Sequence, residues 1–115
     1  MEERVLPIRL TIGDKSYELD FNRDAVRLAE RNGFDPDDVG KYAATKIPEL
    51  WFYAFRKNHR NMARNQTDSI LEKIGGLTSA MLQRLLLLYY QAQTANVIQD
   101  EEDLEKNAEV TVELL

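Results

Sequence analysis

The residues best able to do chemistry are few and scattered. His59 is the only histidine. General acid–base or metal work needs partner groups within reach. Its neighbours are Asn58, Arg60 and Asn61, while Glu49 and Asp68 are distant in sequence, so His59 reads as surface chemistry at the polar end of a helix. Asp35, Asp37 and Gly40 imitate positions 1, 3 and 6 of a calcium loop. Position 5 would be Val39, however, and position 12 would be Lys46 where a bidentate Glu is required; turn and capping chemistry accounts for the cluster, Asp38 included. Gly13 and Gly75-Gly76 stand apart from any phosphate-binding loop, with no Lys-Ser/Thr pair after them. There is no cysteine, and so neither a disulfide nor a thiolate. No catalytic residue, metal site or cofactor is expected, and the chain reads as a non-enzyme.

What remains is capacity for binding. Arg56, Lys57, Arg60 and Arg64 follow one another with no acid among them, close to Tyr53 and Phe55. Such a run could contact phosphates, which makes a small helical DNA-binding domain the alternative function. A solvated helix end, where positive charge suits the dipole, explains it without a nucleic acid. A net charge of −5 opposes a polyanionic partner, and an acidic protein segment, the chain's own tail included, suits the cations better. Phe52, Tyr53, Leu87, Leu88 and Tyr90 exceed what one face per helix would bury. Either both long helices lie centrally, apolar nearly all round, or part of the surplus is an exposed patch for self-association or a partner helix. The candidate partner-binding residues are therefore Phe52, Tyr53, Arg56, Lys57, Arg60, Leu87, Leu88 and Tyr90.

These groups need a scaffold, and the pattern predicts an α+β, mainly helical one. In residues 5–12, Leu6, Ile8, Leu10 and Ile12 alternate with Val5, Pro7, Arg9 and Thr11; after Gly13-Asp14-Lys15, Tyr17, Leu19 and Phe21 alternate again. Two period-two runs around a Gly-containing turn predict a hairpin, with Pro7 at an edge or unpaired position. Asn22 is a helix N-cap and Asn32-Gly33 the matching stop. Residues 34–40 form a loop with at most one helical turn. Thr45 with Pro48 suggests the start of a second helix, Pro48 sitting in its first turn. Over residues 48–62, with Ile47 leading in, Ile47, Leu50, Trp51, Ala54, Phe55 and Met62 form its core stripe. Thr67-Asp68-Ser69 caps a short helix ended by Gly75-Gly76. Thr78-Ser79 caps a long one reaching Asn96 or Ile98, with a core face of Leu82, Leu85, Leu86, Tyr89, Ala92 and Ala95. A hairpin packed on about four helices results.

A chain of 115 residues accommodates one hydrophobic core, assigned here to residues 1–98. Residues 99–115 hold seven acids against Lys106, an acidic tail either disordered or ending in a short strand through Val110, Val112 and Leu114. The charged opening Met1-Glu2-Glu3-Arg4 lacks the apolar region of a signal peptide. The longest apolar run, residues 85–90, is far short of the ~20 needed to span a bilayer. A soluble, cytoplasmic protein without membrane contact is expected.

Three stretches carry a family resemblance. Ile12-Gly13-Asp14-Lys15-Ser16-Tyr17-Glu18-Leu19-Asp20-Phe21-Asn22-Arg23-Asp24 resembles the opening of small proteins encoded among the tail genes of long-tailed phages and prophages of Gram-positive bacteria. Thr45-Lys46-Ile47-Pro48-Glu49-Leu50-Trp51-Phe52-Tyr53-Ala54-Phe55-Arg56-Lys57-Asn58-His59 is similar to their central helix, and residues 107–115, with Glu109-Val110-Thr111-Val112-Glu113-Leu114, to their ending. The resemblance implies a tail assembly chaperone in the host cytoplasm. Its partner would be the long, helical, aggregation-prone tape measure protein, held soluble while the tail tube polymerises. Self-association and a longer, frameshifted form are implied too, but no catalytic residue. A structural head–tail connector is the rival within the same setting.

Overall fold

The computed structural model describes residues 4–95, 97–98, 101–106 and 109–115. Strands β1 (Ile8–Ile12) and β2 (Lys15–Leu19) pair antiparallel through the two-residue loop Gly13-Asp14, with Ile8 opposite Leu19 and Leu10 opposite Tyr17. Gly13 opens that loop at φ +60°, where a side chain would be strained. Pro7 precedes the ladder, where its missing N–H costs no strand bond. Ile8, Leu10, Tyr17 and Leu19 turn toward the helices, while Leu6, which continues the alternation in the sequence, lies outside the strand and is exposed.

Helix α1 (Arg23–Arg31) begins where Asn22 Oδ1 accepts the Ala25 N–H at 2.9 Å. It ends in paired bonds from Gly33 N–H to Glu30 C=O and from Phe34 N–H to Ala29 C=O, the closure that an αL glycine allows. Asp35 caps the 3₁₀ turn Pro36–Asp38 by accepting the Asp37 N–H. Three boundaries then depart from the sequence pattern. Helix α2 runs over Ala43–Phe55, so it starts before Thr45 and places Pro48 in its interior. Its start is set by neighbours: the Asp38 carbonyl accepts from both Lys41 and Tyr42. It stops at Phe55 instead of reaching Met62 because the Ala54 carbonyl, which residue 58 of a longer helix would use, accepts the Asp20 N–H of the strand exit at 3.1 Å. Helix α3 (Arg64–Ile74) takes its first turn before Thr67, with Gln66 Oε1 accepting the Ala63 N–H at 2.7 Å. Thr67 is thereby a buried mid-helix residue whose hydroxyl donates back to the Arg64 carbonyl.

Gly75, at φ +80°, ends α3, and Thr78 Oγ1 caps α4 (Ser79–Thr94) by accepting the Met81 N–H. The expected end of α4 at Asn96 lies outside the described residues, whereas Ile98 is described and lies beyond the helix. A short helix, α5 (Glu101–Glu105), occupies part of the acidic tail. Residues 110–115 form neither helix nor strand, so the short terminal strand, one of the two alternatives the sequence left open, is absent there; Gln99, Asp100, Asn107 and Ala108 lie outside the described residues. Among the described residues no helix is long and apolar enough to cross a membrane.

The core sits around α2. Leu50, Trp51, Tyr53, Ala54 and Phe55 are all buried, so this helix is apolar nearly all round because other elements cover it nearly all round. From α1 come Ala25, Val26 and Ala29, from α4 Leu85, Leu88, Tyr89 and Ala92. Aromatic rings knit these layers edge to face: Phe21 lies 5.3 Å and Phe34 5.6 Å from Tyr89, and Trp51 lies 5.1 Å from Phe55. The Trp51 indole N–H donates to the Thr67 carbonyl at 2.8 Å, tying α3 to the centre. Ile47 and Met62 are half-buried, as are Leu82 and Leu86 on α4, while Ala95 is exposed.

Candidate functional site

Two of the candidate contact residues belong to the interior. Leu88 is fully buried and Tyr53 is 6% exposed. The Tyr53 ring packs 5.7 Å from Phe34, and its hydroxyl accepts from Asn32 Nδ2 at 3.1 Å. Neither can meet a partner without unfolding. Phe52 is half-buried against the same core.

Leu87 and Tyr90 do reach the surface, 53% and 39% exposed, three residues apart on the outer face of α4. Leu6 joins Leu87 from the N-terminal segment, 67% exposed, in a shallow groove also lined by Arg4, Val5 and Arg84. That segment is held by specific bonds. Gln91 Oε1 accepts the Val5 N–H at 2.7 Å, Gln91 Nε2 donates to the Val5 carbonyl at 3.3 Å, and Arg84 Nη1 donates to the Leu6 carbonyl at 3.1 Å. The strand's approach is thus clamped to α4, and Leu6 is presented outward beside Leu87. The Tyr90 hydroxyl donates to Asp37 Oδ1 at 3.1 Å; partial burial of the ring, and then this bond to a carboxylate, raise its pKa above the ordinary 10.0. The ring edge is fixed, which lowers the entropy a partner must remove on docking.

The basic residues are also redistributed. They do not line one helix: Arg56, Lys57 and Arg60 lie in the turns after α2, and Arg64 opens α3, where it pairs with Asp68 at 2.9 Å. Lys57 is committed to structure. Its Nζ lies 2.6 Å from Asp20 Oδ2, and the other Asp20 oxygen accepts the Phe21 N–H at 2.8 Å. This is how a buried carboxylate is kept paired and hydrogen-bonded. Alongside, His59 Nε2 accepts the Glu18 N–H at 3.1 Å and Asn58 Nδ2 donates to the Glu18 carbonyl at 3.3 Å. The turns after α2 therefore occupy the outer edge of β2, which would otherwise expose unpaired backbone. His59, packed 5.4 Å from Tyr17, belongs to this strand cover.

The same turns and α1 enclose a polar cleft lined by Asn22, Asp24, Arg27, Arg31, Arg56, Lys57 and Arg60. Arg27 and Arg31 are four apart on α1 and so share a face; the i,i+4 pair is the signal in the sequence that could have brought them forward beside Arg56 and Arg60. Leu6 and Arg84 had no comparable signal, since residues so distant in the chain meet only through the folded clamp that Gln91 and Arg84 themselves make on residues 5 and 6. Among the described residues no group of three His, Cys, Asp or Glu side chains is placed to hold a metal ion.

The family described as Domain of unknown function (DUF5055) matches residues 2–114, nearly the whole chain. The chain belongs to that family. No curated protein and no solved structure matches it. The DUF5055 description names no activity, so function has to be argued from the two surfaces: the apolar strip Leu6–Leu87–Tyr90 and the cleft between α1 and the turns after α2.

Proposed function

We propose that this chain is a non-enzymatic tail assembly chaperone of a long-tailed phage or prophage, acting in the host cytoplasm and keeping the tape measure protein soluble during assembly. The apolar strip carries the reading. The rest of the large apolar side chains on α2 and α4 are sealed or half-sealed in the core, yet Leu6, Leu87 and Tyr90 remain outward on a rigid, clamped backbone. A helical client presents apolar anchors at i, i+3 or i+4 and i+7, the spacing a strip along a helix face accepts. The resemblance of residues 12–24, 45–59 and 107–115 to small tail-gene proteins supplies the identity of the client.

Coexpression with the tape measure protein of the same genome tests the proposal. The chain should keep that protein in the soluble fraction and copurify with it. Leu6→Ser combined with Leu87→Ser should abolish this while leaving the fold intact, because surface changes usually alter stability by only about 0.5 kcal/mol each. Equal solubility of the client with and without the chain would sink the proposal. Stoichiometric presence of the chain in purified particles would point to a head–tail connector instead.

A further inference from the structure

The cleft between α1 and the turns after α2 gathers five cations, Arg27, Arg31, Arg56, Lys57 and Arg60, around Asp24, the single acid lining it among the described residues. Lys57 is neutralised by Asp20 at 2.6 Å, and Arg27 faces Asp24 at 3.9 Å. Arg56 donates one guanidinium bond to the Arg60 carbonyl at 3.3 Å, which leaves its charge uncompensated. Arg31, Arg56 and Arg60 thus have no carboxylate partner among the described residues. Three arginine forks in one concavity suit carboxylates, which they can bind in pairs of parallel hydrogen bonds.

The complementary surface is on the same chain. Residues 101–105 include four acids, Glu101, Glu102, Asp103 and Glu105, and Glu102 and Asp103 are exposed with no ion pair among the described residues. Among the described residues of one copy, Arg31, Arg56 and Arg60 on one side and Glu102 and Asp103 on the other are therefore unmatched. We infer that the cleft receives the α5 segment of a second copy of this chain, reciprocated across a twofold axis so that each copy gives its acidic helix and takes its partner's. Charge sets the choice of occupant: a chain of net charge −5, with seven of its acids in residues 99–115, repels nucleic acid but can satisfy its own cleft.

Sedimentation of the full chain at low and high salt reads this directly. A dimer should form at low salt and dissociate as salt rises, since the screening length shortens from about 30 Å at 0.01 M to about 3 Å at 1 M. Arg31→Glu with Arg60→Glu, and separately Glu102→Lys with Asp103→Lys, should each weaken dimerisation at least tenfold. An equal mixture of the two variants should restore it, because both contacts of the mixed dimer again join opposite charges. Circular dichroism checks that both variants fold. Should the cleft variant fail that check, the tail variant decides, its substitutions lying outside the core. A wild-type chain that stays monomeric at low salt, or a dimer indifferent to either reversal, overturns the inference. So does a salt-sensitive shift of duplex DNA abolished by the cleft variant, which would give the cleft to nucleic acid.

Discussion

Tyr89 offers a sharp test of how the core is built. Its side chain is fully buried between Phe21 and Phe34, and its hydroxyl oxygen is the one buried side-chain polar atom without a hydrogen-bond partner among the described residues. An unsatisfied buried hydroxyl costs about 1–3 kcal/mol. Tyr89→Phe removes that oxygen and keeps the ring with both edge-to-face contacts, at the small expense of an atom-sized void. The variant should be more stable by about 1–2 kcal/mol at neutral pH, a rise in Tm of roughly 5–10 °C. Urea titration followed by the fluorescence of Trp51, the only tryptophan and wholly buried, measures it, with an unchanged m-value as the control for two-state unfolding.

Alkaline pH adds an independent signature. Burial, followed by the charges of Glu30 and Asp35, pushes the Tyr89 phenol from 10.0 up to about 12. Below pH 10 folded and unfolded chains both keep the proton, and the group's contribution is fully present. Between pH 10 and 12 the unfolded chain releases the proton while the folded one holds it, so stability falls as pH rises, by roughly 2–3 kcal/mol over the window. Tyr89→Phe lacks this loss, so its advantage over the wild type should widen above pH 10. A variant destabilised by 1 kcal/mol or more, or alkaline limbs that superimpose, would refute the reasoning and mean that the hydroxyl has a partner, such as an internal water.

Two further substitutions probe how α2 is tied to its neighbours. Lys57→Met should cost about 2–3 kcal/mol in a urea titration, because among the described residues it leaves the buried Asp20 carboxylate with only the Phe21 N–H; Asp20→Asn in the same background should recover part of the loss. Trp51→Phe deletes the indole N–H bond to the Thr67 carbonyl and opens a void beside Phe55, so a loss of about 2–4 kcal/mol is expected. Amide exchange should then rise in α3 before it rises in α4.

The features legible in the sequence are those decided by bonds a few residues long. Asn22, Thr78, the Gly13 turn, and the stops at Asn32-Gly33 and Gly75 each satisfy or release a local backbone group, and residue type alone announces them. The errors arose where distant groups intervene. Nothing in residues 56–62 breaks a helix; α2 ends there because Asp20 claims the Ala54 carbonyl and Lys57 turns to meet the Asp20 side chain. The start at Ala43 is local but carries no residue-type signal, since Tyr42 offers no side-chain cap and only backbone bonds to the Asp38 carbonyl lead into the helix. On α4 the four consecutive leucines 85–88 give every rotation of the helix an apolar stripe. The structure selects Leu85, Leu88, Tyr89 and Ala92, so Leu88 moves inside and Leu86 to the margin. The binding surfaces were half-visible for the same reason: Leu87 and Tyr90 were candidates from composition, but Leu6 joins them through an 86-residue closure by Gln91, and Arg27 and Arg31 meet Arg56 and Arg60 only after α1 folds back on the end of α2.

Energetics connect the two proposals. Burying the exposed parts of Leu6, Leu87 and Tyr90 against a client would contribute on the order of 2–5 kcal/mol at about 1.5–3 kcal/mol for each fully buried side chain. Association costs an estimated 4–15 kcal/mol in lost translational and rotational freedom. One strip is therefore too small to hold a helix firmly, though large enough to shield it briefly. The strip and the cleft share no residue, so a copy engaged with a second copy keeps its apolar surface free. On these proposals, two strips joined in this way would meet one long client with the second contact intramolecular, which would raise avidity by orders of magnitude without any new contact. The charge-reversed variants that stay monomeric should then lose client solubilisation although Leu6, Leu87 and Tyr90 are untouched, and a monomeric variant that solubilises the client as well as the wild type would separate the two surfaces.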